Sequence, residues 1–357
     1  MTGATVAPQY SGVNPPAERD GTPASGSPVH VPDLTDVPLV SLEDIREAAG
    51  RLRGIAVRTP LLAFPAAGPT AWLKPESLQP VGAFKIRGAY VAIARLPEAV
   101  RRRGVVTHSS GNHAQGIARA ARLLGVKAVA VMPENAPRLK IERTQADGAE
   151  IVFSGNAPDE RVELAHRIAE ERGMTLIPSY DSRDIIAGQA TVGLELAEDA
   201  PSGPLIVYVP VSGGGLAAGV ATALKKLRTD VRVVGVEPEL AADALESLRD
   251  GRVVRWPAEW TERTMADGLR VQALGRIPFA HLRAFLDEIV TVSEEEIAAA
   301  MRVLAIEARL VAEPSGAAAP AALLRERPTD GVSVAIVSGG NVDPELYARV
   351  LAAGTET

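Results

Sequence analysis

The sequence contains no cysteine. This absence excludes disulfide bonds, thiolate metal sites and a cysteine nucleophile, and it leaves the redox compartment open. No uninterrupted apolar run could span a bilayer, and the first residues lack the basic start and apolar segment of a signal peptide. The net charge of -6 and the pI of about 5.6 argue against nucleic acid or an anionic membrane as a main partner. We therefore expect a cytoplasmic protein.

Lysine is scarce as well, because only six of the 38 lysine and arginine residues are lysines. Arginine evidently serves wherever any cation will do. A lysine in an apolar setting is then a candidate for amine chemistry, since only an ammonium readily loses its proton and becomes a nucleophile. Lys85 is such a residue: it follows Phe84 in the octapeptide GAFKIRGA, whose small residues would admit a flat molecule close to the backbone. Taken alone, the octapeptide still favours a lysine on the exposed face of a helix.

A length of 357 residues suggests about two domains. Residues 1–33 are rich in Pro, Gly, Ser and Thr without a hydrophobic period, which predicts a disordered tail. Ser41 and Asp44 have the spacing of a capping box, which predicts a helix running to about Arg53.

Beyond this helix, short apolar strands alternate with helical patterns. The predicted strands are 72–75, 104–108, 128–132, 150–154, 175–178, 205–211, 231–237 and 332–337. The predicted helices are 85–96, 113–124, 138–147, 158–172, 183–198, 215–228, 294–310, 316–326 and 343–352. This alternation predicts an α/β protein with parallel sheets covered on both faces. Ligands of such proteins bind where a strand ends and the next helix begins.

One strand end carries a glycine-rich turn. The apolar strand 205–211 is followed by Ser212, three consecutive glycines and Leu216, which start a helix. Glycines there let a phosphate approach backbone N–H groups at the positive end of the helix. The spacing Gly213-x-Gly215-x-x-Ala218, with Glu237 at the end of the next strand, also fits a dinucleotide site. These residues alone are therefore compatible with a nicotinamide enzyme.

The stretch 107–116 also joins a short strand to a helix. Its hydroxyls, its amide and the N–H groups of the helix N-terminus suit a carboxylate, although an N-cap would need only Ser or Asn. We interpret His113 as a hydrogen-bonding neighbour, because no second His or acid has the spacing of a metal ligand. The turns Ser338–Asn341 and Glu313–Gly316 are weak signals by themselves.

Taken in order, the motifs resemble one family closely. They are LKPESLQ (73–79), GAFKIRGA (82–89), SSGNHAQG (109–116), IAGQ (186–189), VPVSGGGL (209–216), ADG (266–268), EPSGA (313–317) and SGGN (338–341). The sequence is similar to the threonine dehydratase and serine racemase group of fold-type II pyridoxal phosphate (PLP) enzymes, over about residues 41–352. Against this resemblance, the dinucleotide interpretation becomes a remote alternative.

The resemblance implies a role for each motif. Lys85 would form the internal aldimine with PLP, Phe84 would pack beside the ring, Asn112 would bond the 3′ oxygen, and Ser338 would meet the pyridine nitrogen. The phosphate would be held by the backbone N–H groups of Ser212, Gly213, Gly214, Gly215 and Leu216. The substrate carboxylate would be surrounded by Ser109, Ser110, Asn112 and His113. Ser212 departs from the glycine common in the family, yet its backbone donor survives the change.

Ser338 bears on the type of reaction. A neutral hydroxyl does not hold a proton on the ring nitrogen, so the cofactor is a weaker electron sink and long-lived quinonoid carbanions are disfavoured. This suits β-elimination, with Lys85 as the base. We expect conversion of L-threonine or L-serine to 2-oxobutanoate or pyruvate plus ammonia, with serine racemisation as the alternative. The side chain accepted at Cβ stays open, and 3-hydroxyaspartate or a bulkier substrate is possible.

Two further features are shared with racemases. Ser110 holds the position of the family's racemase serine, which could return a proton on the face opposite the lysine. Glu237, the Ala241 carbonyl and Asp243 match the family's divalent-cation site, and such oxygen ligands suit Mg²⁺ or Ca²⁺. Two acids on an ordinary surface loop are the simpler interpretation of the second feature. Both features also occur in enzymes that mainly dehydrate.

The predicted architecture has two α/β domains with the cofactor in the cleft between them. Residues 79–179 form the smaller, inserted domain, and residues 34–78 with 180–357 form the larger one. The family expectation is a homodimer acting on a small hydroxy amino acid. Since the sequence stops soon after SGGN, we expect no added C-terminal regulatory domain.

Overall fold

The structure is a computed structural model that describes residues 27–28, 37–109 and 111–353. Strands β1 to β12 are, in chain order, Ser27–Pro28, Leu62–Ala63, Ala71–Pro75, Val105–His108, Ala128–Pro133, Glu150–Ser154, Thr175–Leu176, Leu205–Pro210, Val231–Pro238, Val254–Arg255, Glu288–Val292 and Val332–Val337. Helices α1 to α14 are Leu42–Arg51, Lys85–Ala94, Glu98–Arg101, Asn112–Leu123, Arg138–Ala146, Pro158–Arg172, Arg183–Asp199, Gly215–Leu227, Asp243–Asp250, Ala258–Thr261, Arg276–Phe285, Glu294–Ile306, Pro314–Glu326 and Pro344–Ala352. Short 3₁₀ helices cover Pro65–Ala67, Glu76–Leu78, Glu239–Ala241 and Asp267–Leu269.

The longer strands form two sheets. The larger has six strands in the order β11-β9-β8-β12-β3-β2, in which neighbours are parallel except for the antiparallel pair β2 and β3. The smaller has four parallel strands in the order β6-β5-β4-β7. Parallel strands need helical crossovers, and these helices cover the faces of both sheets. The α/β class with parallel-rich sheets predicted from the sequence is confirmed.

Alternation along the strands divides the main core into two layers. In β8, Val207 and Val209 pack in the layer that includes α7 and α8, whereas Tyr208 faces the layer of α12 and α13. This is the two-residue period of a strand, and here both faces are apolar because helices bury both. The carboxyl ends of β8, β9 and β12 consequently share one edge of the larger sheet.

Several predicted elements appear as expected. Ser41 caps α1, and its capping box with Asp44 is complete. The prediction that a helix runs over 294–310 is too long, because α12 ends at Ile306 and Arg309 has a left-handed φ of 56°. The sequence did not predict strands β2, β10 and β11 or helices α3, α9, α10 and α11.

The predicted N-terminal tail, 1–33, lies outside the described residues apart from Ser27–Pro28. These two residues pair with Val254–Arg255, so the prediction of disorder is wrong for them. The sequence could not predict this two-residue strand, because it is formed by pairing with Val254–Arg255, which lie far away in the sequence. The domain boundaries at 79 and 179 stay a prediction. None of the helices in the described ranges is both long and apolar enough to cross a membrane.

Candidate functional site

Lys85 is the first residue of α2, and Phe84 is the N-cap. The Nζ atom donates to the carbonyl of Ser179 at 3.2 Å and lies 5.0 Å from the centre of the Phe84 ring. Burial lowers the pKa of Lys85 to about 8, and the carboxylate of Glu313 acts in the opposite direction. A large fraction of this amine is therefore neutral and nucleophilic near pH 8, unlike an exposed lysine.

The end of β12 holds the Lys85 segment in place. Phe84 N donates to Ser338 O at 3.1 Å, and Gly340 N donates to Gly82 O at 2.8 Å. The hydroxyl of Ser338 is buried and donates to Ser315 O at 3.3 Å. The structure thus joins GAFKIRGA and SGGN, two motifs about 250 residues apart, at the carboxyl edge of the larger sheet.

The glycine loop connects β8 to α8 at the same edge. Gly214 has φ of 90°, and a Cβ atom on Gly213 would lie 2.5 Å from the ring of Tyr180. Both positions therefore require glycine. The first N–H groups of α8 have no acceptors within their own helix, so the loop presents donors to an anion. Ser212 adopts a left-handed φ of 55°, which glycine reaches at lower cost.

The carboxylate-binding residues predicted after β4 gather at the start of α4. Gly111 N donates to Ser109 Oγ at 3.2 Å, and Asn112 and His113 begin the helix. Burial lowers the pKa of His113 well below its usual value, with Lys85 as a second cause, so its imidazole is neutral at pH 7. His113 can then offer a hydrogen bond but no charge. Ser110 lies outside the described residues.

A buried ion cluster lies against Asn112, and the roles predicted from the sequence did not include it. Lys140 of α5 lies 2.5 Å from Asp267 and 3.2 Å from Glu313, the N-cap of α13. Asn112 Nδ2 donates to Glu313 Oε1. Burial raises the pKa of Glu313, and Lys140 opposes this effect. The motifs ADG and EPSGA signalled these acids, but their lysine partner had no sequence signal.

Arg161 was also missed. It lies in the first turn of α6, and its Nε atom is buried without a hydrogen-bond partner among the described residues. Burial lowers the pKa of His108, at the end of β4, to about 4, with the charge of Arg161 as the next cause. Ser179 connects His108 to Lys85, because its hydroxyl donates to His108 O at 3.4 Å and its carbonyl accepts from Lys85 Nζ.

The predicted cation ligands lie beside the glycine loop. Glu237 and Asp243 are fully buried, and Glu237 Oε1 and both carboxylate oxygens of Asp243 lack hydrogen-bond partners among the described residues. Burial raises the pKa of Glu237 to about 8 and that of Asp243 well above its usual value. The simpler interpretation, two acids on a surface loop, does not fit this burial. The described residues contain no cluster of three His, Asp or Glu side chains suited to a metal, so a bound cation would also need carbonyls and water.

These residues fit pyridoxal phosphate. The site offers an amine of lowered pKa, a glycine loop at a helix N-terminus and a buried hydroxyl, all meeting at one sheet edge. A dinucleotide would also require an acid free to bond a ribose. Glu237 is buried, and its Oε2 accepts from Leu245 N at 2.9 Å. The nicotinamide alternative therefore has no support at this position.

Known proteins match over most of the chain. The model of a family described as pyridoxal-phosphate dependent enzyme matches residues 52–339. L-threonine ammonia-lyase of Thermotoga maritima is 43% identical over 88% of this chain and 79% of that protein. L-threo-3-hydroxyaspartate ammonia-lyase of a Pseudomonas species is 42% identical over 88% of this chain and 99% of that protein. The solved structure of maize serine racemase has a TM-score of 0.83 and 35% identity, covering 89% of this chain and 99% of that one.

Proposed function

Because the chain belongs to the pyridoxal-phosphate-dependent enzymes, we propose that it is an ammonia-lyase converting L-threonine or L-serine to 2-oxobutanoate or pyruvate and ammonia. The observation that supports elimination is Ser338, a neutral hydroxyl at the end of β12, bonded through its carbonyl to the Lys85 segment. When bound, the cofactor supplies an electron sink that acidifies the α-proton of an amino acid. The protein residues then determine whether loss of that proton leads to elimination or to racemisation.

In the proposed mechanism, Lys85 takes the α-proton. Its pKa of about 8 lies near the working pH of an ordinary enzyme, which is the best compromise between basicity and the fraction of free amine. The N-terminus of α4, with Ser109, Asn112 and neutral His113, offers hydrogen bonds to the substrate carboxylate. The proton that Lys85 has taken is returned to the β-hydroxyl, which leaves as water. The released enamine tautomerises to an imine, and water hydrolyses this imine to the 2-oxo acid and ammonia.

Racemisation is the alternative, and it is favoured by the resemblance of Ser110 to the racemase serine. A second proton donor on the opposite face of Cα would return the proton before the hydroxyl leaves. A serine at this position also occurs in enzymes of the group that mainly dehydrate, so Ser110 alone does not distinguish the two reactions. The distinction has to be made by product.

The decisive experiment is a panel of L- and D-hydroxy amino acids in which 2-oxo acid, ammonia and stereochemistry are measured together. We expect rapid formation of 2-oxobutanoate or pyruvate from the L-substrates. Ser110→Ala is expected to abolish any racemisation while sparing elimination. Rapid formation of D-serine with little pyruvate contradicts the proposal. Equal loss of both activities in Ser110→Ala shows that Ser110 only binds the carboxylate.

A specific observation favours 3-hydroxyaspartate as a second candidate substrate. The extra carboxylate of this substrate needs a cation close to Cβ. Arg161 is a partly buried arginine whose charge acts on His108, and the Nε atom of Arg161 has no hydrogen-bond partner among the described residues. Glu262 raises the pKa of Arg161, but the stronger effect of burial lowers it. A dianionic substrate would compensate for this burial. Two relatives similar to this chain, from a Pseudomonas species and from Saccharomyces cerevisiae, are named for that substrate.

Replacing Arg161 with methionine tests this candidate. If the substrate carboxylate binds Arg161, kcat/KM for L-threo-3-hydroxyaspartate should fall roughly tenfold to a hundredfold, as expected for the loss of a charge-assisted hydrogen bond. The value for L-serine should change little. Arg167→Met removes the same charge from an exposed position of α6 and is the control. A parallel fall for both substrates, or an equal effect of Arg167→Met, rules out a direct contact.

We further propose one Mg²⁺ or Ca²⁺ held by Glu237, Asp243 and the carbonyl of Ala241, because the buried carboxylate oxygens otherwise lack partners among the described residues. Such an ion would neutralise the negative charges of Glu237 and Asp243 and stabilise the neighbouring glycine loop, whose Gly213 lies against Tyr180. A homodimer and a cytoplasmic location stay predictions from the sequence.

A further inference from the structure

Asn341 connects the SGGN turn to three other parts of the chain. Its side-chain nitrogen donates to Val81 O and to Asn112 Oδ1, each at 2.8 Å. Its side-chain oxygen accepts from Arg143 Nη1. A Cβ atom on Gly82 would overlap this oxygen, so the glycine of GAFKIRGA makes room for the amide. The residue itself is buried, at 3% exposure.

These partners fix the direction of the amide. A guanidinium can only donate, so it must face the oxygen of Asn341, and a carbonyl can only accept, so it must face the nitrogen. Asn341 then donates to Asn112 Oδ1, and Asn112 is left with its NH₂ group as the donor at its other end. One N–H of that group bonds Glu313 Oε1. Every bond from Arg143 to Glu313 therefore points the same way.

This chain of hydrogen bonds begins at the guanidinium of Arg143 and ends at the carboxylate of Glu313. Arg143 is an exposed residue of α5 whose guanidinium donates to Asn341. It also lines a cavity of about 500 Å³ together with Gln115 and Asp147. No carboxylate of the described residues pairs with Arg143, whereas Asp147 is paired with Arg119 and Arg122. The guanidinium is thus directed to the amide chain. Hydrogen bonds in such a chain polarise one another, which strengthens the last donor.

We propose that Arg143 is a positioning residue that sets the donor strength of Asn112 toward the 3′ oxygen of bound pyridoxal phosphate. It acts through Asn341, without touching the cofactor. A stronger donor stabilises the anionic phenolate, so loss of Arg143 favours the neutral phenol form of the bound cofactor. This inference rests on family membership and on the role of Asn112 that the resemblance implies. It does not depend on which amino acid is the substrate.

The test is the absorption spectrum of the holoenzyme between pH 6 and 9 for Arg143→Met and Arg143→Lys. Methionine keeps the length of the stem but removes the donor, whereas lysine keeps a cationic donor. We expect Arg143→Met to raise the ratio of the near-ultraviolet phenol band to the visible band at least roughly threefold. Arg143→Lys should restore the wild-type ratio at least in part. The melting temperature is recorded for each variant, so that a change of spectrum is separated from unfolding.

Arg138→Met is the matched control, since Arg138 lies on the same helix, is exposed, and bonds only its neighbour Glu142 among the described residues. It removes the same charge without touching Asn341. A wild-type spectrum in Arg143→Met overturns the proposal. So does an equal shift in Arg138→Met, which would mean a long-range effect of charge. Failure of the wild-type enzyme to act on hydroxy amino acids would reject the proposed function and leave this inference standing.

Discussion

Lys85→Ala is expected to lower elimination activity a thousandfold or more and to abolish covalent attachment of pyridoxal phosphate. The substitution removes both the nucleophile that binds the cofactor and the base that takes the α-proton, and a positioned base alone contributes roughly 10²–10⁴-fold. Borohydride reduction followed by peptide mass analysis should place the cofactor on the Lys85 peptide of the wild-type enzyme. The variant should retain the wild-type melting temperature of the cofactor-free protein.

Two other lysines make this prediction discriminating. Lys74 is fully buried, pairs with Glu195 at 2.6 Å and donates to Thr59 O, so its amine is already engaged. Lys127 is exposed, and Lys127→Ala should behave as the wild type. An adduct on Lys74, or full activity in Lys85→Ala, would show that the lysine has been misassigned.

The pH dependence of cofactor attachment is set by the same residue. Only the neutral amine attacks the aldehyde, and burial lowers the pKa of Lys85 to about 8. The rate at which the cofactor-free enzyme takes up pyridoxal phosphate covalently should rise with pH through a midpoint near 8 and then level off. An exposed lysine would still show a rising rate beyond pH 10. A midpoint that high would mean that the amine is solvated.

The location of the site could be predicted because it depends on local patterns. The scarcity of lysine singled out Lys85, and strand ends followed by Gly-, Ser- or Asn-rich turns pointed to the motifs around Ser212, Asn112 and Ser338. Ser212 and Ser338 follow strands of the same sheet, and in a parallel sheet such ends share one edge. The glycines of these turns could also be recognised from local sequence, because turns often need a positive φ, and Gly82 and Gly214 have one. The prediction of secondary structure failed where the local preference of the sequence for a helix was weak. Helix α11 has Pro278 in its first turn, where proline is tolerated although it suggests a break.

The partners of these residues could not be predicted. Asn112 meets Glu313 across 201 residues of sequence, and Lys140 meets Asp267 across 127. Neither side of such a pair has a pattern that specifies the other, because the two are brought together only by packing of the two sheets. Arg143 illustrates the limit: in sequence it is one arginine among many in an exposed helix. Only the structure shows that its guanidinium reaches a buried amide.

Removal of divalent cations is expected to lower the melting temperature, and the loss should be larger at pH 8 than at pH 6. Glu237 and Asp243 are buried carboxylates whose folded-state pKa values are raised, Glu237 to about 8, mainly by burial. In the metal-free protein, a raised pKa favours folding while the group is protonated. This contribution is complete below the unfolded pKa near 4.5 and is lost as pH rises through about 8. A bound cation replaces the missing protons, so its benefit grows with pH.

We expect chelation at pH 8 to cost on the order of a few kcal/mol, which is several degrees in melting temperature. Mg²⁺ or Ca²⁺ should restore it. The double variant Glu237→Gln, Asp243→Asn should be insensitive to chelator and to this pH change, because neither amide can ionise. Glu239→Gln removes an exposed acid of the same segment and should respond like the wild type. If chelation leaves the wild type unchanged at pH 8, these carboxylates do not hold a cation.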